Sequence, residues 1–276
     1  MRFGNASWGF RETALEDQLR ITHEMGLSLL ELGIANAPND LPLDITDAQI
    51  EEVKRLFKKY NIELLCAATG NDFTNGNTDD LPKLKRVVDI CEKLEVKILR
   101  IFAGFSPVEE VVGEKWDCMI RCLTEIASYS KNVVLAIETH GGVNGFDDGV
   151  QHFYSTSSKP DVLQRMLLEL PESIKVNFDP ANLWAVGIRQ PEEVYAAIKD
   201  RVAVVHLKDF ATLPSGHMKP AACGDSEMDW DAIISSLNPE LPMLFEYENV
   251  EDVTDGLMRC YQFIQGKIKT NLEDAK

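Results

Sequence analysis

The sequence has no uninterrupted apolar run approaching the roughly 18 residues of a bilayer-crossing helix, and Met1 leads into "RFGNASWGF" rather than a basic-then-apolar leader. A soluble, unexported, cytoplasmic protein without a membrane partner is the expectation. Paired cysteines are also missing. Cys66, Cys91, Cys118, Cys122, Cys223 and Cys260 are scattered, and the one close pair, Cys118 and Cys122, has the spacing of a helix face rather than of a CxxC motif. Reduced thiols are therefore expected. Positive charge is short as well: 28 Lys and Arg face 45 Asp and Glu, a net charge of −17 that opposes binding to a phosphate backbone and excludes nucleic acid as a natural partner. No Gly/Ser-rich or Pro-rich linker and no low-complexity tract divides the chain.

What remains is 276 residues, 45% hydrophobic, enough to bury one large core. The reading is a single domain over residues 1–276, with a solvated tail from about residue 268 ("KTNLEDAK"). Two kinds of segment alternate along it. Strand-like runs read "RFGNASW" (2–8), "LSLLELGI" (27–34), "IELLCAA" (62–68), "VKILRIFA" (96–103), "VVLAIET" (133–139), "SIKVNFD" (173–179), "VAVVHLK" (202–208) and "PMLFEYE" (242–248). Stretches with apolar residues at three- and four-residue spacing follow each of them, at about 13–25, 46–60, 79–94, 115–130, 160–169, 191–199, 229–237 and 250–266. Several open on helix-start signals, as in "TDAQIEEV" with Thr46 and Asp47 and "QPEEVYAAI" with Pro191 and two acids. Eight strand–helix units in about 250 residues imply parallel pairing, right-handed crossovers and a single α/β domain closed as a (β/α)8 TIM barrel; an open doubly wound sheet is the rival. The stretch "GNDFTNGN" (70–77) reads as a loop over the barrel mouth.

Active sites of such barrels form at the C-terminal ends of the strands. Four consecutive strands turn polar there, at Glu138, Asp179, His206 and Glu246, with gaps of 41, 27 and 40 residues that each hold one loop, one helix and one return strand. Taken singly, each is explained equally well by a salt bridge or a solvated strand end. Four in series bring three carboxylates together, and their repulsion calls for a divalent cation. Three oxygen ligands and one imidazole suit Mn²⁺, Mg²⁺, Co²⁺ or Fe²⁺ in an expanded shell better than a structural Zn²⁺ site, although Zn²⁺ remains admissible. Two open coordination positions accept the adjacent hydroxyl and carbonyl oxygens of a sugar, so that the cation stabilises the enediolate left by proton removal. Glu138 and Glu246 are the expected acid and base.

The stretches "AIETHGG", "VNFDPANLW", "VVHLKDF" and "LFEYE", with "CGDSEMDW" before the last strand, resemble the sugar isomerase/epimerase superfamily with a xylose-isomerase-like barrel. That group includes ketose 3-epimerases, inosose dehydratases, hydroxypyruvate isomerases and endonuclease IV. The resemblance covers the whole chain, since "LLELGI" and "LRIFAG" also look like its second and fourth strands. It implies Glu138, Asp179, His206 and Glu246 as ligands of one divalent cation, Mn²⁺ first, and the two glutamates as the groups exchanging protons with substrate carbon. It implies a sugar or keto-sugar isomerase or epimerase, with an inosose-dehydratase-like lyase as the alternative. An endonuclease IV-like phosphodiesterase would need more than the five histidines present, and a non-catalytic sugar-binding barrel would not need all four ligands. Two positions depart from the ketose epimerases: Asn182 stands where they commonly carry His, and "HLKDFATLPSGH" lacks their Arg, leaving Lys208 as the nearest cation.

His140, Asn182, Lys208, Trp8 and Trp184 are the expected substrate contacts. The alternatives are a strand cap for His140, a helix cap for Asn182 and plain core for either tryptophan. Phe102 and Phe105 read as core, Arg100 as an inward residue needing an acid such as Glu31, and His217 as a solvated loop residue. Gly224 is read as a turn, with Asp229 and Trp230 starting the next helix. A small-molecule sugar is the expected partner, and the outer helices admit a homo-oligomer.

Overall fold

A computed structural model describes residues 1–274. Eight parallel strands form the inner ring: β1 (Arg2–Asn5), β2 in two pieces (Leu29–Leu30 and Leu32–Gly33), β3 (Cys66–Ala68), β4 (Ile98–Ile101), β5 (Val134–Glu138), β6 (Lys175–Phe178), β7 (Val202–Leu207) and β8 (Pro242–Phe245). Each pairs with its neighbours in sequence and β8 pairs back onto β1, with Arg2 opposite Pro242 and Asn5 opposite Phe245. The two ends of the hydrogen-bonded order are the two halves of β2, one on β1 and the other on β3, so the ring closes through that strand. The interruption falls on Glu31. These strands are short and mostly apolar because both faces are covered.

The outer layer comprises α1 (Leu15–Glu24), α2 (Asp47–Lys59), α3 (Asp80–Leu94), α4 (Glu114–Tyr129), α5 (Pro160–Glu169), α7 (Pro191–Ile198), α8 (Trp230–Ser236) and α9 (Val253–Asp274), and a short extra helix, α6 (Pro180–Ala185), follows β6 directly. The start signals act as read. Thr46 and Gln49 form a reciprocal capping box on α2, Pro191 opens α7 with Glu192 and Glu193 behind it, and the Asp229 carboxylate accepts from Ala232 N at 3.0 Å. Over its described part, the segment from residue 268 is the end of α9, where Ile268 still packs against the core; residues 275 and 276 lie outside the described residues.

Strand side chains alternate between the helices and the barrel axis. Leu135, Ile137, Val205, Leu207, Met243 and Phe245 join the large core under the helices. Residues of the opposite parity, Leu29, Ala136, Val204 and Leu244, form a separate small cluster with Ala6 and Cys66. Two residues further along each of these strands lie Glu31, Glu138, His206 and Glu246. The polar site is thus the layer above an apolar plug on the barrel axis, and the strand period of two puts it there.

Two hairpins absent from the sequence reading cover the mouth. Gly142–Phe146 with Gly149–Phe153, after β5, and Asp209–Thr212 with Met218–Ala221, after β7, join into one four-stranded antiparallel sheet through Met218 and Val150. The pair Gly141–Gly142 is required at the start of the first hairpin. A Cβ on Gly142 would stand 2.0 Å from the Phe153 ring, and one on Gly141 2.7 Å from the Phe153 carbonyl oxygen.

Candidate metal centre and substrate pocket

Glu138, Asp179, His206 and Glu246 converge, each buried, with one donor atom apiece lying within 4.8 Å of the others. His206 Nδ1 stands 3.7 Å from Glu138 Oε1 and 3.7 Å from Glu246 Oε2. Asp179 arrives as the N-cap of α6: its Oδ1 accepts from Ala181 N at 2.8 Å and Asn182 N at 3.0 Å. Its Oδ2 and His206 Nδ1 are buried without a hydrogen-bond partner. Two orphaned donor atoms beside two glutamates form a set that could hold a divalent cation.

The surroundings orient this set. Glu31 Oε2 accepts from His206 Nε2 at 3.2 Å, while its Oε1 accepts from Ser7 N at 3.3 Å and Ser7 Oγ at 3.1 Å. With Nε2 held by Glu31, Nδ1 is the nitrogen that faces the cluster and would offer its lone pair to a cation on giving up its proton. Arg100 Nε lies 3.2 Å from Glu138 Oε2, and Asn182 Nδ2 donates to Glu138 Oε1 at 3.0 Å. Lys208 Nζ lies 3.0 Å from Glu246 Oε2, 2.6 Å from Glu248 Oε1 and 3.8 Å from Asp179 Oδ2. Electrostatics follow from these pairs. Burial drives the Asp179 carboxyl up to about 7, against the opposing charge of Lys208. Burial acts likewise on Glu138, but Arg100 and the neighbouring His206 imidazole outweigh it and hold that carboxyl below its ordinary value. Glu246 is held well below the ordinary value because Lys208 and His206 outweigh its burial. The His206 imidazole is raised well above its usual range: burial opposes its charge, and Glu246 and Glu31 override that.

Above the cluster opens a cavity of about 450 Å³. Arg100, Glu138, Lys208 and Glu246 form its floor, and Trp8, Phe102, Phe105, His140, His152 and Phe210 are among its walls. A larger cavity, about 590 Å³, lies at the N-terminal ends of the strands against Phe3, Ser28 and Tyr261, and holds none of the residues singled out from sequence.

Of the five expected substrate contacts, His140, Lys208 and Trp8 line the pocket. The His140 backbone is clamped by a buried serine loop, with its N–H donating to Ser157 Oγ at 3.3 Å and its carbonyl accepting from Ser155 Oγ, while its ring stands edge-on to Phe102 and Phe105. Asn182 faces the Glu138 carboxylate instead of the pocket, and Trp184 does not reach it either: it is buried behind, with Arg189 over its ring at 4.3 Å. Phe102 and Phe105, read as core, are pocket walls, and Gly70 of the 70–77 loop also lines the mouth. Arg100 does point inward, but its ion-pair partner is Glu138. His217 pairs with Asp148 and stacks on Phe146, away from the site. Glu31, Glu248 and His152 were not recognised as site residues. Only Glu31 carried a signal, as the lone acid inside the apolar run "LLELGI".

No curated protein matches the chain in sequence. A family model described as the xylose isomerase-like TIM barrel matches residues 19–262. Among solved structures, a probable 3-DHS dehydratase from Bacillus anthracis superposes with TM-score 0.72 at 14% identity, over 96% of this chain and 99% of the other. A D-allulose 3-epimerase from Methylomonas sp. gives TM-score 0.72 at 14% identity over 97% and 98%. An L-ribulose 3-epimerase gives 0.74 at 14% over 99% and 96%.

Proposed function

The chain belongs to the xylose isomerase-like TIM-barrel family, and from that premise we propose that it is a divalent-cation-dependent isomerase or epimerase of a sugar or keto-sugar, moving a proton at a carbon next to a carbonyl. The observation that carries this reading is the buried set of Glu138, Asp179, His206 and Glu246, with two orphaned donor atoms, at the floor of a pocket of small-molecule size. A cation held by these four residues, Mn²⁺ first by its tolerance of mixed carboxylate and imidazole donors, would polarise the carbonyl and stabilise charge developing on its oxygen. Glu138 and Glu246 flank His206, so a carbon held above the cluster has a carboxylate on either side, one to take a proton and one to return it. Arg100 and Lys208 hold these carboxylates in their ionised form and in place. His140 and Trp8 orient the substrate from the walls.

Lys208 supports a second reading. Its ammonium sits between Glu246 and Glu248 at the pocket floor, where it can protonate a departing hydroxyl while a glutamate removes the neighbouring proton. That is a dehydratase, and the protein would then be a lyase.

Incubation of Mn²⁺-loaded protein with a panel of ketoses, inososes and keto-glycosides in D₂O separates these readings. Deuterium incorporated at unchanged composition supports isomerisation, and a product lighter by one water supports elimination. Neither outcome with any compound refutes both. Glu138→Gln and Glu246→Gln should each abolish the exchange in protein that still folds.

A further inference from the structure

The cavity over the four-residue cluster has two unlike halves. Its lower part is rich in charge: Glu138, Glu246 and Glu248 line it with two cations, Glu31 and Asp179 stand behind them against His206 and Lys208, and both cations are already engaged. Arg100 meets Glu138, donates from Nη1 to the Thr69 carbonyl at 3.0 Å and lies 4.5 Å from the Phe102 ring centroid. Lys208 is shared among Glu246, Glu248 and Asp179. A phosphate or carboxylate on a ligand would find no unpaired cation among the described lining residues. It would instead meet an excess of carboxylates that one divalent ion does not fully neutralise.

The walls are different. Phe102 and Phe105 line them together with Val143, Val150, Phe210 and Pro220 from the two hairpins. Within this apolar arch the hairpins hold one polar group, His152, whose ring is tilted against Phe210 with centroids 4.9 Å apart and whose Nδ1 is buried without a partner. A chain of hydroxyls laid along the hairpin side would lose its water partners and find only His152 there, the other polar wall groups, Asn36, His140 and Trp8, coming from outside the hairpins, whereas an alkyl or aryl group would bury its surface there at no such cost.

Resting on the proton-transfer reading above, we propose that the substrate is an uncharged sugar-derived ketone carrying an apolar substituent. Its carbonyl edge faces Glu138 and Glu246, and its alkyl or aryl group packs beneath the hairpins. The walls select for the substituent, and the engaged cations select against phosphate esters.

The test is calorimetric titration of the Mn²⁺-loaded full chain with methyl and phenyl 3-keto-β-D-glucopyranosides, D-fructose and fructose 6-phosphate. The phenyl compound is expected to bind at least about tenfold more tightly than the methyl compound, the low end of what a hydrophobic pocket discriminates, and the phosphate ester no more tightly than fructose. Val150→Ser, or Val143→Ser on the more exposed strand should the first variant fold poorly, is expected to shrink that preference severalfold at unchanged Mn²⁺ affinity. Equal or weaker binding of the phenyl compound, tightest binding of the phosphate ester, or no binding of any of the four overturns the inference. Deuterium exchange with the same compounds judges the underlying reading separately. Exchange into fructose without any preference for the phenyl compound retains proton transfer and removes the apolar substituent; the preference without exchange from any of the compounds does the reverse.

Discussion

Replacing Glu31 by Gln tests how the imidazole of the cluster is positioned. Glu31 is fully buried, and its two oxygens face donors on both sides: His206 Nε2 at 3.2 Å, and Ser7 N and Oγ at 3.3 and 3.1 Å. A glutamine of the same shape keeps one acceptor oxygen but turns an NH₂ toward one of these partners. Either Ser7 N–H loses its acceptor, or the imidazole moves its proton to Nδ1, which then points a hydrogen into the cation site. Loss of such a partner behind a metal-ligating histidine typically lowers metal affinity about 10- to 100-fold, which corresponds to about 1.4–2.7 kcal/mol. The fold itself should suffer less, because the change also removes one carboxylate from a cluster crowded with them. The assay is Mn²⁺ binding by calorimetry or chelator competition, paired with thermal melts with and without the ion: the variant should melt near the wild-type temperature without the cation and gain less when it is added. Ser7→Ala should give a smaller loss in the same direction. A dissociation constant unchanged by Glu31→Gln would refute the argument that Glu31 selects the tautomer of His206.

Further expectations follow from other contacts at the same site. Removing the cation with a chelator should lower the melting temperature, since an ion at about 100 times its dissociation constant stabilises the folded state by about 2.7 kcal/mol; identical melts with and without Mn²⁺ would argue against a site built from the orphaned atoms of Asp179 and His206. Arg100→Ala leaves Glu138 buried beside three other carboxylates, and denaturant unfolding should show a loss of about 3–5 kcal/mol in the absence of added cation. His152 is held neutral, burial having pushed its imidazole down to about 3. The unfolded chain therefore binds a proton below about 6.5 that the folded chain does not, and this contribution is complete above that pH and shrinks as the pH falls toward 3. Between pH 7.5 and 5 wild type should lose no more than about 2 kcal/mol on this account, and His152→Asn should flatten the decline; parallel curves would show that His152 is not the group responsible. Trp8→Ala should weaken ligand binding with little change in stability, whereas Trp184→Ala should cost stability and leave the pocket's affinity for the keto-glycosides unchanged.

The eight βα units and the barrel they close were legible because each signal is local. Apolar runs of strand length, capping residues such as Thr46 and Asp229, and Pro191 at a helix start act within one turn of chain. The four converging side chains were legible for the same reason, as polar residues ending apolar strands at a regular spacing. The two hairpins over the mouth were not. "GVNGFDDGVQHF" alternates weakly and is rich in glycine, and the sheet it forms is completed by the pairing of Val150 with Met218, nearly 70 positions away. His152 and Val150 became visible as pocket residues only once that pairing was known.

Taken alone, the sequence determined which strands end in acid or imidazole and that these ends must share one face, since a period of two and a closed parallel ring leave no other arrangement. It did not determine what stands behind them. Whether Asn182 faced substrate or Glu138, whether Trp184 reached the mouth, and whether Arg100 met Glu31 or Glu138 depend on distances across the barrel of a few ångströms between residues about 40 to 100 positions apart. Those choices are made by packing in three dimensions, where a buried charge takes whichever partner lies within hydrogen-bonding reach.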